Sequence, residues 1–241
     1  MIDIHSHLIY GVDDGSKKIE DSVEILESLS SNGITDIILT PHFIPETNYV
    51  SPKKDNIAKL KEIKQIIKEK EIPINIYLGN EIYIDRNIID YIYNGKMTTL
   101  NNSDHLLIEL PMSGIYNDYQ DIFTNLINNG CVVVLAHPER YTSFQKDYNK
   151  IIELDEIGVK FQCNIDSILG AYGKEAKKTV KWMLKNKLIS FIGTDIHNKK
   201  DNYKYIDKAI KKFKKYLNEE ELNKILEENA KSIIKKSREG E

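Results

Sequence analysis

Seven short apolar runs, separated by amphipathic stretches, set the limits on what this chain can fold into. They are "MIDIH" at 1–5, "DIILTPH" at 36–42, "INIYLGNE" at 74–81, "HLLIEL" at 105–110, "CVVVLAH" at 131–137, "KFQCN" at 160–164 and "ISFIGTD" at 189–195. Each has strand length and is rich in Ile, Val, Leu or Phe. Several are apolar on both faces, as strands of a parallel sheet covered by helices must be. The intervening segments repeat apolar residues every three or four positions: Ile19, Val23, Leu26 and Leu29; Ile57, Leu60, Ile63 and Ile67; Ile206, Ile210, Phe213 and Leu217. Each set forms one stripe of a helix. Ser51 and Pro52 read as N-cap and first residue of the second helix. Gly33, Gly130 and Gly158 stand where helices should end. Strands and helices in strict alternation over 241 residues predict an α/β barrel in a single domain, 1–241. A doubly wound open sheet is the alternative, but no G-x-G-x-x-G turn follows the first strand.

The formal net charge of −3 offers no electrostatic grip on nucleic acid or an anionic membrane. No apolar stretch reaches the ~18 residues of a spanning helix, and the N-terminus lacks the basic and apolar regions of a signal peptide. With only two cysteines, Cys131 and Cys163, both inside expected strands, a cytoplasmic, disulfide-free protein is predicted.

The C-terminal ends of the strands carry the chemistry. The first run ends in His5 and His7, two residues apart and so on one face, followed by a turn with Asp13, Asp14 and Gly15. That pair alone suits either a metal site or two surface histidines on an edge strand. The second run ends in His42, the third in Glu81, the fourth near Glu109, the fifth in His137, and the seventh leads to Asp195 and His197. In a parallel barrel these ends share one face, which is where such folds place active sites. Five of the six histidines fall there, and only His105 does not.

Eight such residues are too many for one four-coordinate ion. They fit two or three divalent ions about 3.5–4 Å apart, with Glu81, Glu109 and Asp195 as candidate bridges. Imidazole and carboxylate without thiolate suit manganese, iron or zinc. Such a cluster suits phosphoester hydrolysis, because bound metal lowers the pKa of water and neutralises phosphoryl oxygens. Arg140, in "HPER", adds a planar cation able to clamp a phosphate. Its bland reading is a salt bridge to a neighbour such as Glu139.

The segments "DIHSH", "TPH", "GNE", "IEL", "AHPER" and "TDIH" resemble, in order and spacing, the PHP (polymerase and histidinol phosphatase) superfamily along nearly the whole chain. Within it, "MIDIHSHLIYGVDDG", "LTPHF" and "AHPERY" are similar to the bacterial metal-dependent protein-tyrosine phosphatases of capsule and exopolysaccharide synthesis. The resemblance implies the PHP fold, a distorted seven-stranded (β/α)7 TIM-like barrel, with a trinuclear, usually manganese, site. It implies His5, His7, His42, Glu81, Glu109, His137, Asp195 and His197 as metal ligands. It further implies Arg140 as a phosphate-binding residue and Asp14 beside the cluster, both in the catalytic machinery. The implied substrate is the phosphotyrosine tail of a membrane-associated tyrosine kinase, dephosphorylated by metal-hydroxide attack. Relatives often carry a second arginine soon after the "DIHN" segment; here Lys199, Lys200 and Lys204 stand in that region.

Other readings stay open. A histidinol-phosphate or nucleotide phosphatase of the same superfamily would keep the same ligands, and a PHP-type nuclease or structural module is a rival of another class. A cysteine-dependent phosphatase would need an Arg six residues after its Cys. Cys131 and Cys163 are followed at that spacing by His137 and Leu169.

Overall fold

A computed structural model describes residues 1–113, 118–198 and 205–235. Its strands are β1 (Ile2–Asp3), β2 (Asp36–Leu39), β3 (His42–Phe43), β4 (Asn75–Leu78), β5 (Glu81–Tyr83), β6 (His105–Glu109), β7 (Val132–Ala136), β8 (Lys160–Asn164) and β9 (Phe191–Gly193). Every ladder between them is parallel. They form two sheets, ordered β1-β2-β4 and β3-β5-β6-β7-β8-β9. The helices are α1 (Ile19–Ser31), α2 (Lys53–Glu69), α3 (Ile88–Tyr93), α4 (Tyr119–Asn128), α5 (Thr142–Lys146), α6 (Asn149–Glu156) and α7 (Gly173–Lys185) between strands, then α8 (Tyr205–Phe213), α9 (Glu219–Asn223) and α10 (Asn229–Lys235) after β9.

The expected second and third runs are each interrupted. The run 36–42 divides into β2 and β3 at Thr40 and Pro41, and the run 74–81 divides into β4 and β5 at Gly79 and Asn80. Pro41 has no N–H to donate to a ladder. Its carbonyl instead accepts from the Glu81 N–H at 3.2 Å and from Asn80 Nδ2 at 2.9 Å. The first and last runs are also shorter than their apolar stretches. The sheet curls until its ends meet. Asp195 N donates to His5 O and His7 N to Ile196 O, both at 2.9 Å, and Ser6 bridges Ile196.

Strand alternation separates two cores. Ile37, Leu39, Leu106, Ile108, Val133 and Leu135 belong to the large cluster under the helices. Their neighbours Ile38, Leu107 and Val134 join Ile2, Ile4, Phe191 and Leu100 in a second, inner cluster, closed by Ala230 and Ile233 of α10. Each such buried aliphatic side chain contributes about 1.5–3 kcal/mol. Counting in twos from the inner cluster leads to the far end of the curled sheet: Ile38 to His42, Tyr77 to Glu81, Leu107 to Glu109, Phe191 to Asp195. Residues two apart share a face, so the inner floor and the polar cluster above it are two ends of one interior.

The expected helical stripes are present in α1 and α2, and in α8 for Ile206, Ile210 and Phe213, while Leu217 lies past the end of α8; Gly33, Gly130 and Gly158 take positive φ at the helix ends. The start of α2 differs from expectation by one residue. Pro52 is the N-cap, with no side-chain capping bond, and Ser51 Oγ donates to Asn56 Oδ1 at 2.8 Å. No helix among the described residues is long and apolar enough to cross a membrane. Lys199, Lys200 and Lys204 lie outside the described residues.

Candidate metal centre

Glu81 is the hub. Its side chain is 1% exposed. Oε1 lies 3.2 Å from His5 Nε2 and 2.9 Å from His137 Nε2; Oε2 lies 3.2 Å from His7 Nε2 and 3.1 Å from His42 Nδ1. Asp195 Oδ1 stands 3.4 Å from Nε2 of both His5 and His7. Glu109 completes the wall, 3.8 Å from His137 Nε2 and 3.9 Å from His42 Nδ1. His197 and Asp14 form the outer edge. Asp14 Oδ1 is 3.4 Å from His197 Nε2 and 3.6 Å from His42 Nε2. All eight expected ligands therefore converge, and so does Asp14. Ligand atoms fall in four overlapping sets, each within 4.8 Å: His7, Asp14, His42 and His197; His5, His7 and Glu81; His5, His137 and Asp195; His42, Glu81 and Glu109. The sixth histidine, His105, sits at the opposite end of β6, 2.8 Å from Asp104.

Second contacts fix which nitrogen three of the imidazoles present. His7 Nδ1 donates to Asp13 Oδ2 at 2.9 Å, His5 Nδ1 to Gln162 Oε1 at 2.9 Å, and His197 Nδ1 to the Asp195 carbonyl at 2.8 Å. Their Nε2 atoms are thereby turned inward. The Nε2 atoms of His5 and His7 stand only 3.2 Å apart. Two inward lone pairs at that separation, facing carboxylate oxygens, need positive charge between them. Histidines steered by a carboxylate or amide on the far nitrogen are the usual form of metal ligand. Nδ1 of His137 is buried without a hydrogen-bond partner, and Nδ1 of His42, although 3.1 Å from Glu81 Oε2, makes no aligned hydrogen bond with it; a buried polar atom left so is costly. The donor set thus fits divalent cations.

With protons alone as counter-charges, the cluster is strongly polarised. Burial would hold His5 down, but Glu81 and Asp195 raise it to about 9. Burial works against Glu81 ionising, yet His5 and His42 hold it well below the carboxylate range. Glu109 is pushed up to about 8 by burial, then by Glu81 and Asp195. Asp14 is held low, first by the hydrogen bond from His197, so it stands as an anion rather than a proton donor. Metal ions would displace the protons such a set retains.

The backbone is shaped to this end. His137 has φ 32° and Asp195 φ 53°, the left-handed region, which costs a residue other than glycine on the order of 1–3 kcal/mol. In the turn after β1, a Cβ on Gly15 would lie 2.1 Å from the His7 carbonyl oxygen, so only glycine lets the turn close over His7. Asp13 holds that turn: Oδ1 accepts from Gly15 N at 2.9 Å and Oδ2 from His42 N at 3.0 Å.

Arg140 stands at the rim, its side chain 26% exposed, and Nη1 donates to Asp195 Oδ2 at 2.7 Å. Its guanidinium lies 4.5 Å above the Tyr172 ring. The salt bridge to Glu139 does not form. Glu139 is buried and instead accepts from Asn164 N and Ser167 Oγ, at 2.9 and 2.7 Å. Sequence reasoning missed Asp13, Gln162 and Asn164. Asp13 looks the same as Asp14 in "GVDDG". Gln162 and Asn164 were detectable as two polar residues on one face of an otherwise apolar run.

Comparison with known proteins bears on the family and the fold. CapC of Staphylococcus aureus is 34% identical over 198 residues, covering 82% of this chain and 77% of that protein. The tyrosine-protein phosphatase YwqE of Bacillus subtilis is 30% identical over 235 residues, covering 98% and 92%. A solved structure from work on YwqE of Bacillus subtilis and CpsB of Streptococcus pneumoniae, described as metal-dependent tyrosine phosphatases, matches with a TM-score of 0.89. It is 27% identical and covers 98% of this chain and 94% of that one. The histidinol phosphate phosphatase of Lactococcus lactis shares the fold at 17% identity and TM-score 0.58, covering 89% and 93%. Residues 1–235 match the model of the capsular polysaccharide synthesis family CpsB/CapC, and with relatives of this identity over most of its length the chain belongs to that family.

Proposed function

We propose that this chain is a metal-dependent protein-tyrosine phosphatase. It would remove phosphate from the phosphotyrosine-containing tail of a membrane-associated tyrosine kinase that regulates capsule or exopolysaccharide synthesis. The observation that carries this reading is the convergence of His5, His7, His42, His137, His197, Glu109 and Asp195 on buried Glu81, with Arg140 at the open rim. Those eight would hold two or three ions, manganese by preference, and Asp14 joins the outer set. Bound ions would supply a lowered pKa for water and neutralisation of phosphoryl oxygens.

The protein's own groups then have distinct tasks. Arg140 would take two phosphoryl oxygens in its planar fork, with Tyr172 packed against the guanidinium from the other side. Asp13 keeps Nε2 of His7 facing inward. His42 stacks on Tyr49, with ring centroids 5.9 Å apart, and Tyr49 offers an aromatic edge beside the site for a substrate phenyl ring. A phenolate leaving group, with a pKa of about 10, needs little protonation. We read β2 with β3 and β4 with β5 as single interrupted staves, which makes the distorted barrel seven-stranded, and 1–241 as one cytoplasmic domain.

A substrate panel at saturating Mn²⁺ tests this reading: a phosphotyrosine peptide, histidinol phosphate, nucleotides and single-stranded DNA. The phosphotyrosine peptide should give the highest kcat/KM. A preference for histidinol phosphate or a nucleotide would move the chain to another phosphatase activity, and nuclease activity alone would move it to another class.

A further inference from the structure

β8 is the one expected strand whose C-terminal end provides no metal-type ligand, yet Gln162 and Asn164 on it are fully buried. Their amides join two members of the cluster. Asp195 Oδ2, which can only accept, takes a hydrogen bond from Asn164 Nδ2 at 2.8 Å. That orients the Asn164 amide, so its Oδ1 accepts from Gln162 Nε2 at 2.9 Å. Gln162 Oε1 must then face the other way, where it accepts from His5 Nδ1 at 2.9 Å and from His137 N at 3.3 Å. The direction of every bond follows from the one carboxylate at the end. Gly193 makes room for this row, because a Cβ there would lie 2.8 Å from Gln162 Nε2 and from His5 Cβ.

We propose that Gln162 and Asn164 are positioning residues: a two-amide relay that ties the carboxylate of Asp195 to the imidazole of His5 and fixes Nε2 of His5 as its inward-facing atom. The proposal rests on the metal-centre reading. An ionised Asp195 sets Asn164, Asn164 sets Gln162, and Gln162 then holds the proton of His5 on Nδ1. Partners of this kind shift metal affinity by about 10–100-fold when removed.

The test compares wild type with Gln162→Met, Asn164→Leu and the double variant, by Mn²⁺ affinity in chelator competition. A relay predicts a loss of about 10–100-fold in each single variant and a double variant scarcely worse than either, because one chain is cut twice. Losses that multiply would mean two unrelated local effects, and affinities within twofold of wild type would remove the role; either overturns the proposal. The ¹⁵N-labelled imidazole of His5, read by NMR in Zn²⁺-loaded protein, gives a second measurement. Asn164→Leu should speed exchange of the His5 Nδ1 proton, although the Asn164 side chain bonds to Gln162 and Asp195 rather than to His5. An unchanged signal would contradict the relay. Gln162→Glu keeps an acceptor for His5 but presents an acceptor to Asn164, so it should retain the His5 signal while still weakening Mn²⁺ binding. If the wild type took up neither Mn²⁺ nor Zn²⁺, the metal-centre reading would fail by itself. The His5 Nδ1 proton in the chelated protein would then still decide the relay.

Discussion

Arg140 Nη1 donates to Oδ2 of Asp195 at 2.7 Å, while Oδ1 of the same carboxylate lies 3.4 Å from Nε2 of His5 and of His7. One carboxylate therefore joins the rim cation to the buried ligand set. Asn164 supplies Oδ2 with a second donor, so Asp195 stays anchored when Arg140 is removed. Arg140→Ala should keep its metal content by elemental analysis. Its kcat/KM on a phosphotyrosine peptide should fall about 10–100-fold, since a hydrogen bond to a charged group contributes ~1.5–3 kcal/mol. Arg140→Lys restores the charge without the fork and should recover only part. Unchanged kcat/KM in Arg140→Ala would leave this residue as a structural partner of Asp195 and Tyr172.

His7 and Asp13 separate a ligand from its support. His7 contributes to two of the ligand sets and Asp13 to none. His7→Ala should lower both metal occupancy and kcat. Asp13→Ala should lower Mn²⁺ affinity by about 10–100-fold and leave kcat near wild type once Mn²⁺ saturates. Chelation should abolish activity in the wild type, and Mn²⁺ should restore it and raise Tm, because ligand binding to the folded state stabilises it. Active enzyme carrying less than one transition metal per chain would refute the metal centre.

The alternation of strand and helix, and the placement of ligand-type residues at strand ends, were legible because both follow from local patterns. Periods of two and three to four are set by strand and helix geometry, and Pro41 and Gly79 alter strand continuity without changing the count in twos. The breaks themselves were not legible, because an apolar run does not reveal where a ladder loses its donors. The relay residues stayed hidden for a related reason: Gln162 and Asn164 gain meaning only through contacts with His5 and Asp195, which lie 157 and 31 residues away. Glu139, next to Arg140 in sequence, was the alternative partner for it, but the two side chains go to different neighbours, Arg140 to Asp195 and Glu139 to Asn164 N and Ser167.

A pH dependence follows from Asp3. Its Oδ1 accepts from His5 N and Thr194 N, and Oδ2 from Thr194 Oγ1 at 2.6 Å. Burial outweighs these bonds and lifts Asp3 from 3.8 to about 6. The folded state thus binds this proton more tightly than the unfolded chain. That stabilisation is complete below pH 3.8 and is lost as pH rises through 6. Asp3→Asn cannot titrate, so its stability relative to wild type should rise by about 2 kcal/mol between pH 4.5 and 7. Urea unfolding of both chelator-treated proteins across that range checks it. A difference independent of pH would mean that Asp3 ionises in the fold as it does in the open chain.

The nucleophile gives the last prediction. Cys163 is buried 3.8 Å from Met183 Sδ, and burial holds its thiol well above its ordinary range. Cys131 is half-buried and precedes β7, at the opposite end of that strand from His137. Neither thiol belongs to the ligand sets, and only a thiolate is a useful nucleophile. Cys131→Ser with Cys163→Ser should therefore retain most of its kcat, with some loss of Tm from burying a more polar hydroxyl where the Cys163 thiol packs on Met183. Water would then be what attacks phosphorus. Hydrolysis in ¹⁸O-labelled water under single-turnover conditions should put label into the phosphate released in the first turnover. A first turnover free of label, or a trapped phosphoenzyme, would show instead that a side chain takes the phosphoryl group before water does.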